Sequence, residues 1–408
     1  MSGVRYGISS ELGELETWVH HLEGRGGIYN SGREFFEATS PLENFKSTRY
    51  LELALEFSVD SSVRRSTEHL NRIRNEGNGV RATTYRNTIE REGQRIQASM
   101  EEKCEKILKE NGFTEDGDDI EWNKINQVEA KYIDAKVVAE TAASLNISKY
   151  EISDYELQET TVNISIDEVS VKRQSEMRPK NEKKEQRNRI DNTIIHLEND
   201  RGKYILNGNN IKGTLKLLIG FLVGNGLMWQ QIVVFADGAR KIHDAVHEML
   251  GYAKVKIILD WYHLDKKCRE YLSMGVKGVK IRNEILSELL PKLWYGDVEG
   301  AIELLRGIDE SKLKEPKKVM ELVDYFERVR EYVPCYALRD RLGLRNSSNR
   351  GEKANDLVVS KRQKHNGMAW SDDGSTAFAS VAAASFNGEL LNWLHRRDIS
   401  FNLLHFSA

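Results

Sequence analysis

One carboxylate in this sequence lies within a predicted strand, a position that suits metal-dependent chemistry. Asp167 is in the middle of residues 161–171, TVNISIDEVSV, a β-branched run that alternates with a period of two. That period predicts a strand in which Asp167 and its neighbour Glu168 point to opposite faces. A rigid strand holds a ligand in the fixed geometry that metal catalysis requires. A single strand aspartate is more often structural than catalytic, so Asp167 needs partners.

A second carboxylate, Asp237, ends the apolar run QIVVFADG of residues 231–238. An uninterrupted apolar strand is buried on both faces, which predicts a central place in a sheet that helices cover. The carboxyl ends of such strands are where open α/β sheets place their binding sites. Asp237 is therefore the second candidate.

The elements around these two aspartates follow a recognisable order. We predict strands at residues 161–171, 193–197 and 203–206, a helix at 210–228, a strand at 231–238, a helix at 239–250 and a strand at 255–259. This is the order of the α/β ribonuclease H-like (RNase H-like) core, in which the first strand lies beside the fourth. Asp167 and Asp237 are then neighbours. Two adjacent carboxylates repel each other unless a divalent cation lies between them, so the pair predicts a metal site.

A third carboxylate, Glu352, lies in the first turn of a helix predicted at residues 351–364, GEKANDLVVSKRQK. Taken alone, an acid in that position usually complements the helix dipole. The same helix becomes basic further on, at Lys361, Arg362 and Lys364, which are candidates for phosphate contacts. Glu352 is thus a candidate that depends on its surroundings.

Asp260 and His263 follow the strand at residues 255–259 and are candidates for a supporting role. Asp260 has the residue type and position of a helix cap. His263 could bond a nearby carbonyl. The sequence alone supports this structural role and a direct role in the site equally.

The region before the strands is mainly helical. Residues 1–46 are expected to form a helical segment, and three helices follow from residue 47, with a Gly77–Gly79 break before a helix that begins near Ala82. This spacing resembles a helix-turn-helix. The residues that the third helix would present to DNA are Thr83, Thr84, Arg86, Asn87 and Arg91. A plain helical packing domain is the alternative.

Two further stretches complete the domain organisation. Residues 172–189 are strongly basic and read either as a solvated loop or as a phosphate contact near Asp167. Residues 264–330 are helical in pattern and too long for a simple crossover, which predicts an insertion. The expected divisions are 1–46, a helical segment; 47–155, the helix-turn-helix region; 156–263, the first part of the RNase H-like core; 264–335, the helical insertion; and 336–408, the last core helices and the carboxyl terminus.

Composition limits the classes of function. The 408 residues carry 60 Lys and Arg against 63 Asp and Glu, so a nucleic-acid surface must be local. The three cysteines are widely separated and match neither a zinc pair nor a disulfide framework. The amino terminus has no signal-peptide pattern, and the most apolar run, residues 215–229, is too short to span a bilayer. These features predict a cytoplasmic protein.

Four blocks of the sequence carry a family resemblance: ISIDEVSV, VVFADGA, ILDWYHL and RGEKANDLVVSKRQKHNGMAWS. In this order they resemble bacterial insertion-sequence transposases of the Mutator-like DDE type, from about residue 50 to residue 385. The resemblance places the family's acidic triad on Asp167, Asp237 and Glu352. It places the signature after the second acid on Asp260 and His263. Arg350 departs from the small residues that often precede the last acid.

The resemblance implies an RNase H-like catalytic domain interrupted by an all-helical insertion and preceded by a helical DNA-binding region. It also implies Mg²⁺, with Mn²⁺ as a possible substitute, held by the three acids. Hydrolysis would free the transposon 3′ ends, and transesterification would join them to target DNA. The implied partners are transposon-end DNA, target DNA and further copies of the chain, in a homodimer or larger multimer. The implied location is the bacterial nucleoid.

Two other functions are compatible with the same residues. A structure-specific nuclease would keep the acids and lack strand transfer. A helix-turn-helix DNA-binding protein with an inactive RNase H-like domain would bind DNA and tolerate substitution of the acids. A helical interaction protein without nucleic acid leaves the buried strands that end in acids unexplained.

Overall fold

The computed structural model describes most of the chain. The described residues are 3–10, 13–20, 22–24, 27–29, 48–74, 79–114, 131–174, 188–251, 253–364 and 368–405, with the backbone alone for 3–29 and 404–405. Most of the basic stretch predicted at residues 172–189, and the first two residues of the predicted Gly77–Gly79 break, lie outside the described residues.

The strands are β1 (Gly3–Ser10), β2 (Gly13–His20), β3 (Leu22–Gly24), β4 (Gly27–Tyr29), β5 (Thr161–Lys172), β6 (Arg189–Glu198), β7 (Gly202–Gly208), β8 (Gln231–Ala236), β9 (Val255–Leu259) and β10 (Leu404–His405). The helices are α1 (Thr48–Asp60), α2 (Val63–Ile73), α3 (Ala82–Glu110), α4 (Ala135–Ser144), α5 (Ile211–Gly224), α6 (Arg240–Leu250), α7 (Trp261–Gly275), α8 (Gly278–Trp294), α9 (Val298–Arg306), α10 (Pro316–Val329), α11 (Tyr336–Arg341), α12 (Asn349–Asn355), α13 (Lys361–Gln363), α14 (Asp372–Phe386) and α15 (Leu390–Arg396). A π-helical turn, Asp356–Ser360, joins α12 to α13.

The amino-terminal segment corrects the sequence analysis. Residues 1–46 were expected to be helical, but β1 pairs antiparallel with β2, and β3 pairs antiparallel with β4. The physical reason is visible in β1, where Val4, Tyr6 and Ile8 alternate with polar or small residues. That period of two favours a strand over a helix.

Within the described residues, β5 to β10 form one sheet in the order β10-β7-β6-β5-β8-β9. β6 is antiparallel to β5 and β7, whereas β8 and β9 run parallel to β5. The first long strand therefore lies beside the fourth in chain order, β8, as the sequence predicted. The protein has a mixed α/β fold in which helices cover this sheet.

The two sheet faces belong to different hydrophobic clusters. Ile232, Val234 and Ala236 of β8 join the main core, which includes most of α5. Val233 and Phe235 point to the opposite face and pack with helices α7 to α10 in a second core. The central strand is thus buried on both faces, which accounts for its uninterrupted apolar sequence.

Helices α1 to α3 share the main core with the sheet. Tyr50 and Leu55 of α1, Leu70 of α2 and Ile96 of α3 belong to the same cluster as the sheet residues. The predicted division at residue 155 therefore separates chain segments that share one core. Helix α3 is also longer than a short recognition helix, because it runs for 29 residues.

The predicted DNA-facing side of α3 is largely exposed. Thr83, Thr84, Arg86 and Asn87 are exposed, whereas Arg91 is half-buried. Tyr85 and Ile89 of the same helix are fully buried. The Tyr85 hydroxyl donates a 2.6 Å hydrogen bond to the Ala54 carbonyl and so links α3 to α1.

Helices α7 to α10 correspond to the helical pattern predicted at residues 264–330. Their apolar faces meet in the second core through residues such as Leu272, Leu289, Ile302 and Phe326. Polar caps begin two of them, because the side chains of Asp260 and Asp297 accept hydrogen bonds from the first turns of α7 and α9. Among the helices that the structure describes, none is long and apolar enough to cross a membrane.

Candidate functional site

The strand register brings Asp167 and Asp237 together. β5 and β8 pair in parallel from Thr161 with Gln231 to Ser165 with Phe235. Asp167 and Asp237 each lie two residues beyond that last pair, so they continue the same spacing on the same face. The Asp237 carboxylate also accepts a 2.9 Å hydrogen bond from the Ala239 amide, which fixes the turn after β8. The two acids therefore lie on one face of the sheet, Asp167 within β5 and Asp237 directly after β8.

The electrostatics agree with this placement. The pKa of Asp167 is raised to about 6, first by burial and then by the negative charge of Asp237. The Glu168 amide and the nearby His263 oppose this rise, and Glu352 adds to it. The other two candidate acids and His263 thus act on the Asp167 carboxyl group. This is the arrangement that a cation would stabilise.

Two hydrogen bonds orient the Asp167 carboxylate. Oδ1 accepts from the Glu168 amide at 2.8 Å, and Oδ2 accepts from Asn355 Nδ2 at 2.5 Å. Asn355 was not among the predicted site residues. Its signal in the sequence is its spacing, because it follows Glu352 by three residues and so lies on the same helix face.

Helix α12 approaches the sheet closely through Gly351. A Cβ atom placed on Gly351 would lie well under 3.0 Å from the Ser165 Cβ atom. Gly351 is buried between the helix and the strand, and Glu352 follows it directly. The missing side chain therefore sets the distance between Glu352 and the Asp167 strand.

We expect Gly351→Ala to push α12 away from β5, because the new methyl group and Ser165 cannot occupy the same space. The variant should lose about 1–3 kcal/mol of unfolding free energy, as overpacked cores do. Urea denaturation monitored by circular dichroism measures this loss. Adding Ser165→Gly removes the clashing Cβ atom and should restore most of the stability. A double variant as unstable as Gly351→Ala would show that this contact does not set the spacing.

Glu352 faces His263 across the site. Their Oε1 and Nε2 atoms are 3.2 Å apart. Burial raises the pKa of Glu352, while His263 lowers it and Asp260 raises it. His263 therefore bonds the third candidate acid, whereas the sequence analysis considered a bond to a backbone carbonyl.

Asp260 has the capping role that the sequence analysis considered for it. Its carboxylate is fully buried and accepts from the His263 amide at 3.0 Å. It also accepts a hydrogen bond from the Ser348 amide in the loop that leads to α12. Asp260 thereby ties the start of α7 to the start of α12, and so holds His263 near Glu352.

Three buried polar atoms around the acids have no hydrogen-bond partner among the described residues: His243 Nε2, His263 Nδ1 and Tyr325 Oη. The Asp237 charge acts on both His243 and Tyr325, which places them near that acid. Buried polar atoms are nearly always satisfied by protein, water or a bound group. These atoms indicate a site built to hold something polar.

The candidate acids have the ligand atoms that a divalent cation prefers, but they are not arranged as a complete set of ligands. Asp167 and Asp237 offer hard carboxylate oxygens, which Mg²⁺ prefers, and their mutual repulsion would be relieved by a cation. Across the described ranges, however, no three His, Cys, Asp or Glu side chains are already gathered as a metal cage. Glu352, the natural third ligand, is engaged with His263.

The predicted phosphate contacts divide into two groups. Lys361 and Lys364 are exposed, and Lys361 pairs with Asp60 at 2.6 Å. Arg362 corrects the sequence analysis because it is 6% exposed and lies over the rings of Trp370 and Phe378. Burial lowers its pKa to about 10. Stacking on two aromatic rings draws this arginine inward, away from any surface phosphate.

Arg350, the departure from the family pattern, also has a defined partner. Its guanidinium bonds the carboxylate of Glu198, which is 1% exposed, and Arg345 bonds the same oxygen. The bulky cation before Glu352 therefore anchors the start of α12 to β6. A buried acid two strands from Asp237 is the feature that accommodates it.

Comparisons with known proteins give one family and one distant structure. No curated protein matches the chain significantly. A solved structure described as the Drosophila P element transposase strand transfer complex matches 89% of this chain and 86% of that chain, at 10% identity and a TM-score of 0.28. A family profile matches residues 89–397, and the chain therefore belongs to the uncharacterised protein family UPF0236.

Proposed function

We propose that the protein is a DNA transposase of the DDE type, which cleaves DNA at transposon ends and joins the ends to target DNA. The observation that carries the proposal is the strand register that sets Asp167 beside Asp237. Glu352 approaches the pair on a helix that packs against the same strand. The three acids are the proposed catalytic residues and metal ligands.

The fold supports this proposal through its strand order. The five long strands lie in the order 3-2-1-4-5 along the sheet, with the second strand antiparallel, which is the arrangement of the RNase H-like core. On this basis α7 to α10 are an all-helical insertion between the second and third acids. The Mutator-like type is proposed from the four sequence blocks alone.

The chain's own residues would prepare the reaction as follows. Asn355 orients the Asp167 carboxylate, and His263 lies 3.2 Å from Glu352 and opposes the rise that burial causes in the pKa of that acid. Asp260 keeps His263 in place through the α7 cap. Asp167, Asp237 and Glu352 would hold Mg²⁺, or Mn²⁺ in its place. When bound, the metal would activate a water or a 3′-hydroxyl and neutralise the leaving oxygen.

The proposed DNA surface combines two regions. Lys361 and Lys364 follow the site helix, and Thr83, Thr84, Arg86 and Asn87 form the exposed side of α3. A cavity of about 240 Å³ is lined by Thr83 and Arg86 of α3 and by residues 368–371, which follow the basic run in the chain. Two element ends must be joined together, which favours a homodimer or larger multimer on DNA in the bacterial nucleoid.

A second candidate is a DNA-binding protein whose RNase H-like domain is inactive. The observation that favours it is the pairing of Glu352 with His263, which leaves the described residues without a gathered set of three ligands. In that case DNA binding would persist without cleavage, and substitutions of the acids would have no effect on function.

Joining of DNA strands separates these functions. The purified protein is incubated with Mg²⁺, labelled DNA carrying both borders of its gene's flanking sequence, and a supercoiled target plasmid. A transposase produces labelled plasmid, which a sequencing gel resolves as joined strands. Cleaved ends without joined products would indicate a nuclease. Bound but uncut DNA in both Mg²⁺ and Mn²⁺ would indicate the inactive DNA-binding protein.

A further inference from the structure

A second cavity lies on the same sheet face as the candidate acids. It has a volume of about 300 Å³ and is covered by α12 and by the end of α14. His196 and Glu198 of β6 form part of its floor, opposite Ser165 and Asn163 of β5. Directly opposed residues on antiparallel strands share a face, so the cavity and Asp167 lie on one side of the sheet.

The rim of the cavity is cationic and open to solvent. Lys203, Arg350 and Lys353 line it, and all three are exposed. Arg345 adds a fourth positive charge through its bond to Glu198. Glu198 supplies one compensating negative charge. Burial, followed by the charges of Arg345, Lys203 and Arg350, lowers the pKa of His196 to about 4, so this residue is neutral.

Inside the rim, the lining is partly apolar. Leu357 and Phe386 are half-buried there, and Ile205 lies beneath them. Cationic rims attract phosphates, and aromatic side chains stack on bases whatever the sequence. A duplex backbone would contact only the rim. The recess behind the rim has a volume of about 300 Å³, at the lower end of the range of small-ligand pockets. The cationic rim suits the phosphates of a nucleotide, and the partly apolar recess suits one unpaired base.

The distance from the site can be read along the strand. The residues Ser165 and Asn163, which oppose the cavity floor, precede Asp167 by two and four positions. At a rise of about 3.3 Å per residue, the cavity is roughly 7–13 Å from Asp167 along β5. A nucleic-acid strand advances about 3.4 Å per stacked nucleotide, so this span is about two to four nucleotides.

We propose that this cavity binds an unpaired nucleotide of the DNA strand that passes through the site, about two to four nucleotides from the reacting phosphate. Lys203 and Lys353 contact its phosphates, and Phe386 stacks on its base. The proposal rests on the proposed function, which supplies DNA as the substrate. It adds a requirement for unpaired DNA beside the site, which the three acids alone do not impose.

Binding of single-stranded DNA tests the proposal without catalysis. The full chain is titrated against a fluorescein-labelled, mixed-sequence 20-nucleotide strand in EDTA over a salt series, and anisotropy gives Kd. Lys203→Glu/Lys353→Glu should weaken binding by about tenfold or more, and lower the salt slope by about 1.4 for two phosphate contacts. The wild-type protein is the reference. Lys280→Glu is the control for a change of surface charge, because Lys280 is an exposed lysine of α8 outside the cavity.

Base stacking has a separate readout. Phe386→Leu should weaken single-strand binding by about fivefold with an unchanged salt slope, because stacking involves no counterion release. On a strand of abasic sites, wild type and Phe386→Leu should bind equally. Equal affinity of the double-glutamate variant and Lys280→Glu would overturn the proposal. So would an equal loss of affinity for the matching duplex, because the cavity would then be a backbone groove.

The outcomes also distinguish this proposal from the function on which it rests. A wild-type protein that binds neither single-stranded nor duplex DNA would remove both. A wild-type protein that joins strands, together with cavity variants that bind single strands normally, would remove only the nucleotide pocket. Weakened single-strand binding in a protein that never cleaves DNA would support the pocket and the inactive DNA-binding candidate together.

Discussion

Asp167→Asn should abolish DNA cleavage and joining while leaving the fold and DNA binding intact. The substitution keeps the size and one acceptor oxygen for the hydrogen bond from Asn355, gives up the bond from the Glu168 amide, and removes one of two adjoining negative charges. Loss of a metal ligand removes several kcal/mol of transition-state stabilisation, which corresponds to about 10³-fold or more in rate. The rate of strand cleavage in Mg²⁺, measured on the flanking-sequence DNA, checks this result.

The neighbouring acid is the matched control. Glu168 points to the opposite sheet face, where it pairs with Lys241 at 2.7 Å. Glu168→Gln removes the same charge from the adjacent residue and should leave the cleavage rate within about twofold, as for most surface substitutions. Equal losses in the two variants would mean that charge near β5 matters and that the position of Asp167 does not.

Stability against pH gives the Asp167 variant a second readout in metal-free protein. The folded protein raises the Asp167 pKa from 3.8 to about 6, so between these values it holds a proton that the unfolded chain has released. Stability contributed by this group therefore falls as pH rises through that window. In EDTA, Asp167→Asn should gain stability relative to wild type from pH 4 to pH 7. A constant difference between the two across this range would contradict the electrostatic picture.

Arg339→Met should be the most destabilising of the substitutions considered. Arg339 is fully buried and bonds both carboxylate oxygens of Glu156, at 2.6 and 3.0 Å. It also donates to the carbonyls of Asp154 and Arg345, so it joins three chain segments. Removing one partner leaves a buried, uncompensated carboxylate, and the expected loss is about 3–5 kcal/mol of unfolding free energy. Urea denaturation measures it.

An exposed ion pair provides the comparison for Arg339. Arg306 and Glu327 are 2.6 Å apart with side chains 54% and 43% exposed. Arg306→Ala should change the unfolding free energy by less than about 1 kcal/mol, because water screens the pair. Replacing both buried partners, as Glu156→Leu with Arg339→Met, should recover much of the loss. No recovery would show that the hydrogen bonds to the carbonyls dominate.

Part of this site was predictable because it depends on strand order alone. Asp167 and Asp237 each belong to a strand with a strong β-branched or apolar signal, and parallel pairing of those strands determines their separation. The sequence predicted that these two strands are neighbours, and β5 does pair with β8. The helix start at Glu352 was likewise visible from local sequence.

The rest depends on contacts between distant segments. His263 reaches Glu352 because Asp260 bonds the loop before α12, and sequence spacing does not report that bond. Arg362 reads as a surface cation in a basic run, yet Trp370 and Phe378 stack on it from outside the run. The strands at residues 3–29 lie in a segment predicted to be helical, although Val4, Tyr6 and Ile8 alternate with the period of two that favours a strand.

Metal binding at the acid pair tests the central claim most directly. Crystals of the protein soaked in Mn²⁺ are measured at a wavelength where manganese scatters anomalously. We expect an anomalous peak in contact with carboxylate oxygens of both Asp167 and Asp237, and no such peak in crystals of Asp167→Asn. The proposed metal site would be contradicted by a wild-type map in which manganese binds only elsewhere, or in which the two aspartates hold no metal at a saturating manganese concentration.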